Sequence, residues 1–122
     1  MLSKDELAAR LSKVRASLAG RAELVAVSKF HPADYVRLSY ELGQRLFGES
    51  RVQELVAKHE ALAADCPDIV WHFIGPLQTN KVKYLAPFIH MIESVTSERL
   101  LEEINRQGQR VGRRIPILLE VY

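Results

Sequence analysis

Five short apolar runs, placed along the chain at nearly even intervals, constrain its fold more than any other feature. They are LVAVS (24–28), RLFGE (45–49), VWHFIG (70–75), MIESV (91–95) and PILLEVY (116–122). Their starts recur roughly every 20 to 26 residues, enough for one strand, one helix and two short loops. The segments between them carry helical patterns with polar openings and glycine or proline endings. The helix after Pro32 is expected to stop at Gly43, a residue suited to a C-terminal cap. Ser50 with Gln53 reads as a capping box for the next helix, whose Val52, Leu55, Val56, His59 and Leu62 share a face. A third helix is expected from Thr79 or Asn80 to just before Pro87. A fourth opens near Ser97 and carries Leu100, Leu101 and Ile104 to Gly108. This alternation argues for a parallel sheet with helices packed outside it.

Before the first strand, MLSKDELAARLSKVRASLAG (1–20) reads as an amphipathic helix. Ser3 and Glu6 form a capping box, and Leu7, Leu11, Val14 and Leu18 recur at helical spacing. The segment lacks the continuous apolar core of a signal peptide. Two architectures place helices on parallel strands. A dinucleotide-binding, doubly wound sheet shows G-x-G-x-x-G in its first strand-to-helix turn. Here that turn is SKFHPAD (28–34), without a glycine. The expected fold is therefore α/β, an incomplete (β/α)8 TIM-type barrel of about five βα units with an N-terminal extra helix. Residues 1–122 are expected to form a single domain, the N-terminal part of such a barrel. A full barrel needs about 250 residues. An unclosed sheet leaves its first and fifth strands as edges. The expectation is a fragment of a longer protein, a truncated product, or an assembly that covers the edge, self-association through the open edge included.

Composition narrows the function classes. Hydrophobic residues make up 48% and charged residues 26%, an ordinary globular balance that argues against disorder. A net charge of +2 is too small to argue for nucleic acid. No apolar run approaches the roughly 20 residues of a membrane span. Cys66 is the only cysteine, which rules out an internal disulfide and is compatible with a reducing cytoplasm. His31, His59, Cys66 and His90 show no metal-ligand spacing. The expectations are a cytoplasmic chain with no metal, no nucleic acid and no membrane partner.

Three stretches carry polar groups to strand ends. In LVAVSK, Lys29 continues the Val25 and Val27 side of the first strand at its C-terminal end, where barrel enzymes place their functional groups. A lysine deprived of water there attacks a carbonyl as the neutral amine and forms a Schiff base. The plainer alternative is a solvated strand-end lysine. In FGES (47–50), Gly48 permits a sharp turn and Ser50 caps a helix whose N-terminus faces the same end of the sheet as Lys29. In WHFIGPLQTNK (71–81), His72 lies on the Val70 and Ile74 face, Trp71 and Phe73 point the other way, and Gln78, Thr79, Asn80 and Lys81 crowd a helix start. A lone histidine on an apolar face is more often a satisfied core residue. Glu49, Glu93 and Glu120 come from different strand ends and are candidate acids or bases at a barrel mouth. The arginines of RQGQRVGRR (106–114) read as a solvated helix end, with charge favourably placed near its C-terminus.

Together, LVAVSK, the GQRLFGES and VQE stretch, and WHFIGPLQTNK closely resemble the pyridoxal-phosphate homeostasis family, small barrels similar to the N-terminal domain of bacterial alanine racemases. The likeness runs from about residue 24 to the end. It implies pyridoxal 5′-phosphate as cofactor, held as an internal aldimine on Lys29. It also implies a cofactor-side position for Ser50, where many members carry asparagine beside the cofactor. Members are associated with vitamin B6 and amino-acid homeostasis and are generally regarded as lacking enzymatic activity. His72, Gln78, Asn80 and Lys81 match the family motif without an implied catalytic role. Barrel phosphate sites commonly use the loops after strands seven and eight, and the family is similar in this. The leading expectation is thus a non-catalytic pyridoxal-phosphate-binding homeostasis protein. The alternatives are a racemase-like enzyme on amino acids, and a partner-binding module without cofactor.

Overall fold

The structure, a computed structural model, describes residues 3–20 and 22–120. Strands β1 (Ala26–Val27), β2 (Leu46–Glu49), β3 (Val70–Phe73), β4 (Met91–Val95) and β5 (Ile117–Leu119) form one sheet. All neighbouring pairs are parallel and the spatial order is the chain order, β1-β2-β3-β4-β5. Each strand therefore lies beside its predecessor. A doubly wound sheet would reverse direction at a switch point; this one advances steadily, as a barrel wall does. The helices are α1 (Lys4–Leu18), α2 (Ala33–Glu41), α3 (Val52–Leu62), α4 (Val82–Leu85), preceded by a 3-10 turn at Thr79–Lys81, and α5 (Glu98–Val111). The α1 helix precedes the first strand and α2 to α5 fill the crossovers. This is the incomplete barrel with an extra helix expected from the sequence.

The apolar core lies on one face of the strands. Phe47, Trp71, Phe73 and Ile92 pack with Val36, Leu55, Leu62, Val82, Leu85, Ile89, Leu100 and Ile104 of the crossover segments in a single buried cluster. Trp71 and Phe73 do point away from His72, as strand alternation requires. The opposite face gathers Val25, Gly48 and Ile74: a Cβ on Gly48 would lie 3.1 Å from Ile74 Cδ1 and 3.4 Å from Val25 Cγ1. Towards the edges this inner face is open, with Val27 51% and Leu118 50% exposed. Among the described residues, β1 and β5 each have a strand neighbour on one side.

Helix ends follow the expected chemistry at some positions and not others. Ser3 Oγ accepts from the Glu6 amide at 3.2 Å and Ser97 Oγ from the Leu100 amide at 3.1 Å. Gly43, at φ 98°, ends α2 as its lack of a Cβ allows. Ser50 does not cap α3. It stays at the strand end against Gly75, where a Cβ would lie 2.4 Å from the Ser50 carbonyl oxygen, and Arg51 takes the cap position without a side-chain bond. Helix α5 runs through Gly108 and ends at Gly112, φ 69°. Gly108 instead admits the returning chain, since a Cβ there would lie 2.9 Å from the Arg113 carbonyl oxygen.

Two buried polar ties hold the layers. Gln44 Nε2 donates to the carbonyls of Leu24 (2.6 Å) and Leu46 (2.9 Å), and its Oε1 accepts from Arg15 of α1 at 2.6 Å. Arg113 is not a solvated helix end: it donates to the Ala86 and Ile89 carbonyls at 2.5 and 2.8 Å, meeting acceptors left over after α4. The expected strand ends at Val121 and Tyr122, and the helix start at Met1 and Leu2, lie outside the described residues.

Candidate functional site

Register places the candidate residues in layers on the inner face. Val27 pairs with Gly48, Gly48 with His72, and His72 with Met91. Two residues further along each strand come Lys29, Ser50, Ile74 and Glu93, a rim at the C-terminal end of the sheet. The end of the first strand is closely held. The Ser28 amide donates to the Gly48 carbonyl at 3.0 Å, and the Ser28 hydroxyl donates to Glu49. Lys29 follows and is exposed, so the described residues do not supply the desolvation the sequence suggested. Phe30 then turns the chain at φ 66°, outside the usual range for a residue with a Cβ.

Beside the rim lies an open groove of about 700 Å³ where the turn after β1, the start of α3 and the loop after β3 meet. Phe30, Ser50, Arg51, Glu54, Gln78 and Lys81 are among the residues that line it. The Arg51 guanidinium stacks over the Phe30 ring, 4.6 Å from its centroid, and Lys81 adds a second cation. Gln78 and Lys81 thus join Ser50. Their motif neighbours Thr79 and Asn80 turn away to a separate groove with Arg99, Glu102 and Arg106. Lys29 does not line either groove.

From one layer deeper, His72 reaches up to the rim: its Nδ1 is 2.9 Å from Glu93 Oε2, and its ring stacks on His90 at 5.5 Å between centroids. Among the described residues, His72 Nε2 is buried without a hydrogen-bond partner. His72 is therefore only half satisfied, unlike the ordinary core histidine expected. Of the three glutamates, Glu93 meets His72 on the inner face. Glu49 lies on the helix side of the sheet, fully buried, 2.8 Å from Lys58 Nζ of α3. Strand alternation explains this: Glu49 shares the parity of Phe47, not of Gly48. Glu120 follows β5, its amide bonded to the Val95 carbonyl at 2.8 Å. Sequence reading missed Lys58 altogether, although Leu55, Lys58 and Leu62 stand at i, i+3 and i+7, a lysine set into an apolar stripe. Among the described residues, no group of three His, Cys, Asp or Glu is placed to hold a metal ion, and no helix is long and apolar enough to cross a membrane.

Comparison with known proteins places this arrangement. The family model for the alanine racemase N-terminal domain matches residues 2–122. This chain belongs to that family. Among curated relatives, the pyridoxal phosphate homeostasis protein of Bos taurus is 42% identical over 104 residues, covering 80% of this chain and 38% of the relative. The protein of the same name from Aquifex aeolicus is 41% identical over 100 residues, covering 82% and 43%. The chain thus spans about two fifths of the length of these relatives. Among solved structures, PipY of Synechococcus elongatus PCC7942 with pyridoxal phosphate bound superposes with a TM-score of 0.90 at 42% identity, covering 95% of this chain and 54% of PipY. PipY without the cofactor gives 0.89. The family resemblance drawn from three motifs is confirmed, and the sheet is the portion of a barrel that such relatives share.

Proposed function

We propose that this chain is the lysine-bearing portion of a pyridoxal-phosphate-binding barrel with a non-catalytic role in vitamin B6 and amino-acid homeostasis, in which Lys29 bonds covalently to the cofactor's aldehyde carbon. The observation that carries this is the placement of Lys29. It leaves β1 at the C-terminal end of a parallel barrel wall, on the parity of the helix-free face, in a chain similar to PipY with pyridoxal phosphate bound. The neighbouring groups fit an aromatic, anionic ligand. Arg51 and Lys81 supply positive charge beside the rim, and Phe30 offers an aromatic face. Ser50, which lines the groove, would donate its hydroxyl to a ring substituent or phosphate oxygen. Bound at Lys29, the cofactor would supply a reversible carbonyl store, since imine formation releases only water and hydrolysis returns the aldehyde. Titrating the protein with pyridoxal phosphate tests this. A visible absorption band that saturates and is absent in Lys29→Ala supports the reading; an equal band in that variant refutes it.

A racemase-like reading draws on one feature, the hydrogen-bonded pair of Glu93 at the rim and His72 one layer beneath it. Deuterium exchange at the α-carbon of an amino acid, lost in both Lys29→Ala and His72→Ala, would favour that reading. No exchange above the free-cofactor rate leaves the non-catalytic one.

A further inference from the structure

Behind the sheet, α3 grips the chain on both sides of Lys29. Lys58 is 5% exposed and its ammonium makes three bonds: to the Ser28 carbonyl at 2.7 Å, to Glu49 Oε2 at 2.8 Å and to Glu54 Oε2 at 3.2 Å. Its three donors are thereby all used. The same Glu54 oxygen accepts the amide of Phe30 at 2.8 Å. The last carbonyl before Lys29 and the first amide after it are therefore held by two side chains one helical turn apart. Glu49 completes the arrangement by accepting the Ser28 hydroxyl on the oxygen that also meets Lys58.

Stability alone does not account for this cluster. Ion pairs taken out of water recover little net energy, and apolar side chains of similar volume hold a helix to a sheet at least as well. Apolar packing lacks direction, however. A carbonyl and an amide gripped by charged partners fix where the peptide planes flanking Lys29 lie. The grip also holds Phe30 at φ 66°, a conformation that needs enforcement in a residue with a Cβ.

We propose that Glu54 and Lys58 are positioning residues for Lys29: bonded to the backbone on either side of it, they set the direction in which its amine leaves the strand. The proposal rests on the reading of Lys29 as the cofactor anchor. Misplacing a reacting group by about 1 Å costs up to roughly a hundredfold in rate, so loosening this turn has a kinetic signature.

The test measures the rate of covalent capture of pyridoxal phosphate at Lys29, by borohydride quench and peptide mapping, together with hydrogen exchange at the Phe30 amide. Glu54→Leu and Lys58→Met are each expected to slow capture by about tenfold. Glu54→Gln keeps an acceptor for the Phe30 amide and stays within about threefold of wild type. In Glu54→Leu the Phe30 amide, on an exposed residue, exchanges freely. Leu62→Ala, at the far end of α3, controls for general loosening and leaves the capture rate unchanged. Unchanged capture in Glu54→Leu despite fast Phe30 exchange overturns the proposal, as does equal slowing in Leu62→Ala. Wild-type protein that captures nothing at Lys29 refutes instead the reading of Lys29 itself, and the proposal falls with it.

Discussion

A Cβ on Gly75 would sit 2.4 Å from the carbonyl oxygen of Ser50 and 2.8 Å from its Cα, contacts with backbone that no rotamer change relieves. Gly75→Ala is therefore expected to cost about 2–3 kcal/mol in urea denaturation, since β2 and β3 must part where the rim forms. At Gly48 the nearest atom is Ile74 Cδ1, the tip of a flexible side chain, so Gly48→Ala costs less. His59 belongs to a different balance. Its ring stacks on Phe88 at 3.9 Å between centroids, and burial holds its pKa below the ordinary value, with Glu60 opposing in part. The unfolded chain thus takes up the proton first, and stability falls as pH drops below about 6.5. His59→Phe should flatten that part of the pH–stability curve; an unchanged slope would assign it to other groups. The place of Lys29 at the end of β1 was legible in its strand parity. The partners that hold its turn were not, because Lys58 lies 29 residues further along the chain, and only folding brings α3 behind β1.

Elements were more legible than their junctions. Apolar alternation located all five strands, and β4 at Met91–Val95 matches its run residue for residue. The paired part of β1 is shorter than LVAVS, at Ala26–Val27: it starts two residues later and ends one residue earlier. Caps failed where tertiary contact overrode local chemistry: Ser50 is taken up by Gly75, and Gly108 by the returning Arg113 segment. The tie between α1 and the sheet had no local signal either. Gln44 bridges Leu24, Leu46 and Arg15 from a buried position, so Gln44→Leu should cost about 2–3 kcal/mol by leaving those groups unpaired. A double-mutant cycle with Arg15→Met should then show a coupling of about 0.5 kcal/mol or more. Strict additivity would mean that α1 is held by other contacts.

At the scale of the molecule, one face of the sheet carries the core and the other carries the candidate site. Phe73→Ala on the helix side is expected to cost about 3–5 kcal/mol, whereas Val27→Ala on the half-exposed inner side costs less than about 1 kcal/mol. Comparable costs would mean that the two faces are not so divided. The barrel wall was legible because its signal repeats along the chain, and strand order then follows from short right-handed crossovers. The placement of Glu49 was not, since one residue of parity separates a rim acid from a buried ion pair. The account as a whole depends on Lys29 being the covalent anchor. Borohydride reduction of the protein with pyridoxal phosphate, followed by peptide mapping, tests that most directly. The account predicts a pyridoxyl group on the peptide containing Lys29, with little on other lysines. Label scattered over surface lysines, or concentrated on a different one, would contradict it.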